Sequence, residues 1–285
     1  SFSDSKTAIN YIKGQNMPIV VKADGLEAGK GVFIINNYEE ACELINDLFD
    51  GKIDGIKTCL IIIEEFLKGE EASFICLVSG DQIIPLASSK DHKKLSNGDL
   101  GPNTGGMGAY SPTKLIDSKT TNMVIDKIIS PTLNELKKIG IEYKGFLYAG
   151  LMIDEYKNPF VLEYNCRLGD PEAQAILMRL ESDIVDMFLG VANDNLDNID
   201  IKWKNESACT VVLASKGYPG KYEKEKRIEG IDHKVNGTKI FHSGTKTNDG
   251  FLVTNGGRVL SVTALGVNLQ VAQAKAYDRC NQISW

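Results

Sequence analysis

Between Val161 and Glu172 the chain reads Val-Leu-Glu-Tyr-Asn-Cys-Arg-Leu-Gly-Asp-Pro-Glu, an apolar strand running into a polar turn and a helix start. On a strand, alternate side chains share a face, so Glu163, Asn165 and Arg167 are expected to point the same way. A carboxylate and an amide oxygen two residues apart are hard oxygen donors, the type magnesium takes while keeping waters and phosphate oxygens. An arginine beside them can hold a phosphate or a carboxylate through parallel hydrogen bonds. The chemistry this predicts is a metal-bound polyphosphate meeting a charged substrate. The same Glu-x-Asn spacing also suits a solvated outer face. Asp170-Pro171-Glu172 predicts a helix start, with Asp as N-cap and Pro at the first position.

A second candidate is Ala23-Asp24-Gly25-Leu26-Glu27-Ala28-Gly29-Lys30-Gly31. It is not a Walker A loop: the glycine spacing is one residue short, Lys30 is followed by Gly31 rather than Ser or Thr, and a β-branched strand follows instead of a helix. It predicts a strand–loop–strand hairpin flanked by Lys22 and Lys30, which can donate backbone N–H groups to phosphates with lysines as point charges. An ordinary surface hairpin fits the loop equally well. Lys22 ends an otherwise apolar strand, where an unpaired charge is costly, so an anionic partner is expected. A third segment, Glu64-Glu65-Phe66-Leu67, follows an apolar strand and becomes a linker. Its backbone can read an adenine edge, though a solvated acidic turn suits it as well.

The elements that must carry these groups follow from periodicity and punctuation. Strands are predicted over 19–22, 32–35, 59–63, 73–78, 82–87, 146–153 and 160–164. Helices are predicted from Ser3 or Asp4 to near Gly14, over 38–49, from 118 to 139 with a kink at Pro131, from 171 to 180, and again from Ser182. Ser79-Gly80-Asp81 predicts a hairpin turn. Residues 88–112 are expected to be a long functional loop. Beyond a polar boundary at 193–206, short strands are expected at 209–214, 239–242 and 259–264, then a helix over 268–282. These segments divide the chain into 1–70, 71–192 and 193–285.

Composition narrows the function classes. The 285 residues carry 32 Lys and Arg against 38 Asp and Glu, a net charge of -6, which argues against a general nucleic-acid binder. No apolar run reaches the roughly 18 residues that span a membrane, so no membrane partner is expected. Six widely spaced cysteines without a Cys-x-x-Cys pair predict reduced thiols in a cytoplasmic compartment. Cys166 is expected to pack on the strand face opposite Glu163.

Together these segments resemble the ATP-grasp ligases, and within them the phosphoribosylamine–glycine ligase family. The matching stretches are Val21–Gly25 with Ala28–Gly31, Ile63–Leu67 with Gly69–Phe74, Asp91–Lys93, Gly101–Pro112, Gly145–Met152 and Glu163–Glu172. In the last third they are Gly217–Gly220, Phe241–Lys246 and Thr254–Leu260. The resemblance implies an α+β ATP-grasp fold, two α+β subdomains with largely antiparallel sheets enclosing ATP, plus a small C-terminal α/β domain. It implies that ATP and Mg2+ (or Mn2+) are cofactors, and that glycine and 5-phosphoribosylamine are joined through glycyl phosphate. In these terms 1–70 is the lid subdomain and hinge, 71–192 the central subdomain, and 193–285 the C-terminal domain. The expectation is a fragment lacking the family's N-terminal domain, with fusion to other purine-pathway domains open for the parent chain.

Residue by residue, Lys22, Gly25, Gly29, Lys30 and Gly31 match the phosphate-binding lid. Glu64, Glu65 and Leu67 match the adenine hinge, and Glu71 the ribose ligand. Glu163 and Asn165 match the metal ligands. Arg167, with Lys22, matches the catalytic groups that stabilise the transferred phosphate. Asp91, His92, Lys93, Asn103, Thr104, Gly105, Met107, Arg167 and Asp170 match parts of the substrate site. Lys246 and Arg258 are placed facing it from the last domain. The alternatives are another ATP-grasp ligase, or a non-catalytic ATP-binding module.

Overall fold

The structure is a computed structural model that describes residues 1–25, 31–53, 56 and 58–285. It contains two compact units, Ser1–Lys68 with Asn103–Gly105, and Gly69–Pro102 with Gly106–Trp285. The strand pairings of the three-, four- and five-stranded sheets and of the β14–β15 hairpin are antiparallel.

The first unit pairs β1 (Ile19–Ala23) with β2 (Val32–Ile35) and β3 (Ile61–Glu65) in the order β2-β1-β3. Helices α1 (Ser5–Ile12) and α2 (Tyr38–Phe49) cover one face. Both helices start where the chain supplies a cap: Asp4 accepts from Thr7 N at 2.9 Å and Asn37 from Glu40 N at 2.9 Å. Ile19, Val21 and Ile61 point into the core with Ala8, Ile12, Ala41, Ile45 and Leu48. The alternation of a strand then sends Val20, Lys22, Val32, Ile34, Ile62 and Glu64 to the other face. Val32 and Ile34 are exposed there. The strand expected over 59–63 lies two residues later, which places Glu64 and Glu65 on the strand and begins the linker at Phe66.

The second unit holds a four-stranded sheet of β4 (Glu70–Ser79), β5 (Gln82–Pro85), β10 (Lys144–Ile153) and β11 (Pro159–Asn165), in the order β11-β10-β4-β5. One face packs on α3 (Ser118–Val124) and α4 (Ser130–Lys138) through Phe74, Cys76, Val78, Leu147, Ala149 and Leu151. The predicted single helix is interrupted: a π-turn at Ile125–Ile129 separates α3 from α4, and Pro131, which has no N–H to give to the ladder, stands just after that turn. The opposite face buries Ile75, Leu77 and Tyr148 against Ile176 of α5 (Glu172–Arg179) and Met187 of α6 (Ile184–Ala192).

The segment 88–112 is not a loop. It forms β6 (Lys90–Asp91), β7 (Lys94–Ser96), β8 (Leu100–Asn103) and β9 (Gly108–Ser111). Its strands are too short and too rich in glycine and charge to show period-two patterning. β6 and β9 join β12 (Ser207–Ala214), β13 (Thr238–His242) and β16 (Arg258–Gly266) in a five-stranded sheet ordered β13-β16-β12-β9-β6. That sheet draws strands from both sides of residue 193. β14 (Thr245–Asn248) and β15 (Phe251–Thr254) add a hairpin absent from the sequence-based expectation, and α7 (Leu269–Cys280) packs on β12 and β16. α5 serves both sheets, with Ile176 in the core of one and Ala175 against Ala208 and Leu265 of the other.

Candidate active site

β11 brings Glu163 and Asn165 to the face of the four-stranded sheet that carries Tyr148. Asn165 pairs with Tyr148 and Glu163 with Gly150, and the register slips between Gly150 and Leu151, leaving Leu162 as an extra residue. Such a bulge re-aims the side chains beyond it. Glu163 Oε1 lies 3.5 Å from the Asn165 amide nitrogen, so the two polar ends meet. Arg167 does not share their alternation, because the strand ends at Asn165. Arg167 sits in the following bend, is exposed, and donates from Nη1 to Leu168 O at 2.8 Å. Cys166 is exposed and lies by Tyr143, whose hydroxyl donates to Phe146 O.

Lys93 stands by two carboxylates. Its ammonium is 3.2 Å from Glu71 Oε2 and 3.8 Å from Glu163 Oε1. Burial works against its charge, but Asp91, Glu71 and Glu163 outweigh that and hold the ammonium above the ordinary lysine range. Asp91 is 8% exposed. Burial pushes its carboxyl up to about 7, against the pull of Lys93 and with the neighbouring charges of Glu172 and Glu71 adding to the rise. His92 is exposed beside the Tyr110 ring, and its backbone pairs with Met107 and Gly108.

Beneath this charged rim lies a buried polar chain. Tyr148 donates to Ser73 Oγ at 3.2 Å, and Ser73 donates to Glu172 Oε1 at 2.8 Å. Burial, then Glu172 and Asp91, hold the Tyr148 phenol well above its ordinary range, so it stays a donor. Glu172 is 3% exposed. Gly169 makes its inward turn possible, since a β-carbon there would sit 2.4 Å from Glu172 Oε2. The expected cap is different: Pro171, not Asp170, precedes α5, and no side chain caps it. Asp170 is engaged elsewhere. It accepts from Arg258 Nη2 at 3.0 Å and from Gln174 Nε2 at 2.9 Å, while Arg258 Nη1 also donates to Asp170 O at 2.8 Å.

The same guanidinium reaches Gly106 O at 3.4 Å, so Arg258 ties the 106–107 turn to the start of α5. Lys246 pairs instead with Glu225. Ser73, Tyr148, Gly150 and Glu172 were not singled out as site residues from sequence. The available signals were a serine inside an apolar strand and a glycine in a strand interior, which marks a close approach.

In the first unit, Lys22 finds the anionic partner its position required: Lys22 Nζ lies 2.6 Å from Glu64 Oε2. Ala23 N donates to Gly31 O at 2.8 Å, closing the base of the β1–β2 connection, and Gly25 has a φ of 143°. Glu65 is exposed and Leu67 half-buried on the linker, Thr104 is buried, and Asn103, Thr104 and Gly105 group with this unit. Gly29 and Lys30 lie outside the described residues.

The donor set suits a hydrated divalent cation. Glu71 and Glu163 flank the Lys93 ammonium, two carboxylates to one cation, with the buried Asp91 close by. Glu163 and Asn165 supply two hard donors, and no cluster of three or more acidic, histidine or cysteine groups forms a closed cage among the described residues. Magnesium is bound in this way, with water and phosphate oxygens completing its shell.

Comparison with known proteins agrees with the layout. A phosphoribosylamine–glycine ligase of Vibrio parahaemolyticus is 48% identical over 286 residues, covering 100% of this chain and 67% of that protein. The crystal structure of a phosphoribosylamine–glycine ligase from Thermotoga maritima superposes with a TM-score of 0.89 at 38% identity, covering 99% of this chain and 70% of that one. The biotin carboxylase domain of Hydrogenobacter thermophilus 2-oxoglutarate carboxylase shares the fold, with a TM-score of 0.73 at 17% identity over 99% of this chain and 60% of that one. The model of the phosphoribosylglycinamide synthetase ATP-grasp (A) domain matches residues 1–173, that of the phosphoribosylglycinamide synthetase C domain matches residues 208–285, and the chain belongs to this family of ATP-grasp enzymes.

Proposed function

We propose that this chain carries out the ATP-dependent ligation of glycine to 5-phosphoribosylamine, giving glycinamide ribonucleotide, ADP and phosphate in purine biosynthesis. A carboxylate oxygen of glycine attacks the γ-phosphorus and ADP leaves. The amine nitrogen of the sugar then attacks the acyl carbon, phosphate departs, and the amine gives up a proton. Glu163 and Asn165 would hold Mg2+ (or Mn2+), which supplies charge neutralisation to the polyphosphate when bound. The observation that carries the reading is the pairing of Glu163 with Asn165 at the end of β11, beside Lys93 and Glu71. Phosphoryl transfer asks for positioned charge rather than a covalent nucleophile, and the described cluster offers that.

In the first unit, Lys22 and the glycine-rich connection, with Gly25, Gly29, Lys30 and Gly31, handle the nucleotide phosphates. The apolar outer face of Val20, Val32, Ile34 and Ile62 offers a platform for a purine base. Glu64, Glu65 and Leu67 read the base from the hinge, and Glu71 serves the ribose. The carboxylase of like fold is described in complex with MgADP, which supports nucleotide use. Arg167 stabilises the transferred phosphate. Asp91, His92, Lys93, Asn103, Thr104, Gly105, Met107 and Asp170 serve glycine and the sugar amine, in a cytoplasmic setting.

The test uses glycine labelled with heavy oxygen in its carboxylate, together with ATP, magnesium and 5-phosphoribosylamine. The expected result is labelled phosphate, one oxygen per turnover. ADP release without label would discard glycine as the acid. Glu163→Gln should cripple magnesium-dependent turnover while leaving the fold intact, and a near-normal rate would remove the metal assignment.

A further inference from the structure

Glu172, Ser73 and Tyr148 take no part in the reaction as set out above, yet they form a continuous chain of buried hydrogen bonds beneath its charged groups. We propose that they act together as a positioning strut that fixes Glu163 and Asn165 in the orientation that receives a divalent cation. The proposal rests on the reading of Glu163 and Asn165 as the cation's ligands.

The sheet register gives the strut its reach. Ser73, Gly150 and Glu163 form one row across β4, β10 and β11, and Ile75, Tyr148 and Asn165 form the next. Because position 150 has no side chain, a gap is left in the row between Ser73 and Glu163, and the Tyr148 ring borders it. A β-carbon at 150 would lie 3.4 Å from Tyr148 Cε1 and 3.1 Å from Glu163 Cγ, so ring and carboxylate stem flank the same vacancy. The ring therefore bounds the space beside the Glu163 stem. Its hydroxyl is tethered to Ser73, and Ser73 is tethered to a carboxylate anchored in the first turn of α5. Outer groups that orient metal ligands change metal affinity by about 10–100-fold when removed, and that scale sets the expectation here.

A burial role alone would also explain buried polar groups, so the test needs a readout that stability does not move. Mn2+ binding is measured by electron paramagnetic resonance on the intact protein with a non-hydrolysable ATP analogue. Tyr148→Phe and Ser73→Ala should each weaken Mn2+ binding about tenfold. The double variant should be no weaker than the worse single one, since both cut one chain. Ser79→Ala is the control. Ser79 is equally buried on the same strand but bonds to Val191 O and Asp194, so its loss should lower the melting temperature and leave Mn2+ binding unchanged. If Glu163→Gln leaves Mn2+ binding unchanged, the ligand assignment itself fails. If Glu163→Gln weakens binding while Tyr148→Phe and Ser73→Ala behave like Ser79→Ala, or if their losses add, the strut is overturned.

Discussion

Gly150 on β10 stands directly across from Glu163 on β11, and a β-carbon at 150 would come within 3.1 Å of Glu163 Cγ. That is tighter than an ordinary carbon contact, and Tyr148 blocks the escape on the other side at 3.4 Å. Gly150→Ala should therefore fold, lose about 1–3 kcal/mol to overpacking, and push the Glu163 carboxylate out of place. Thermal unfolding and a magnesium titration of turnover check both parts. A variant with the parent's magnesium midpoint would show that the glycine gap does not set the position of Glu163.

Asp91 gives the chain a pH signature. Its carboxyl sits at about 7 against an ordinary 3.8, because burial dominates over the attraction of Lys93. An acid raised in the folded state takes up a proton on folding. Its contribution to stability is fully present below the unfolded value and is lost as pH rises through the folded one, so stability attributable to Asp91 should fall between about pH 4 and 7. Asp91→Asn removes the titration. Melting temperatures of parent and variant should diverge across that window, with the parent falling relative to the variant as pH rises. Parallel curves would mean that Asp91 is not buried as an acid.

The sequence showed the pieces of this site more clearly than their arrangement. Glu163, Asn165, Lys22 and the helix at 38–49 were legible because period-two and helical patterning or local capping determine them. Arg167 was misplaced because alternation says nothing about where a strand stops. Asp170 looked like a cap because its type and spacing suit one, but a long-range partner, Arg258, takes its carboxylate. Of the strands within 88–112, β9 was hidden because pairing with β12, nearly a hundred positions away, holds it rather than local propensity, and β6 is held in turn by β9. The polar chain from Tyr148 through Ser73 to Glu172 has no local signature at all: its members lie 75 and 99 positions apart.

Lys22 and Glu64 test the nucleotide side. The pair is 2.6 Å apart, with side chains 21% and 39% exposed, and a pair this accessible is worth about 0–1 kcal/mol to stability. Lys22→Met should leave the melting temperature nearly unmoved. On the phosphate reading it should also cost about two orders of magnitude in turnover, the scale of removing one preorganised charge stabiliser. Glu64→Gln, which only frees the ammonium from its neighbour, should cost far less. Steady-state rates for the two variants decide the matter. Equal losses would make Lys22 a mere partner of Glu64.

Arg258 reaches the site from β16 by holding a turn. Its two terminal nitrogens engage Asp170 Oδ2 at 3.0 Å and Asp170 O at 2.8 Å, and Nη1 also reaches Gly106 O. A lysine carries one point charge and cannot hold these acceptors in a fixed fork, so Arg258→Lys is not a conservative change here. The start of α5 and the 106–107 turn should then drift relative to each other, and a displacement of about 1 Å near reacting groups can cost up to a hundredfold. The expected outcome is a fall in kcat/KM for glycine and the amine while the KM for ATP holds, because Lys22 and Glu64 lie outside this clamp. Asp170→Asn keeps the backbone acceptor and loses only the charged one, so it should fall between parent and Arg258→Lys. If Arg258→Lys matches the parent with all three substrates, the clamp positions nothing that the reaction needs.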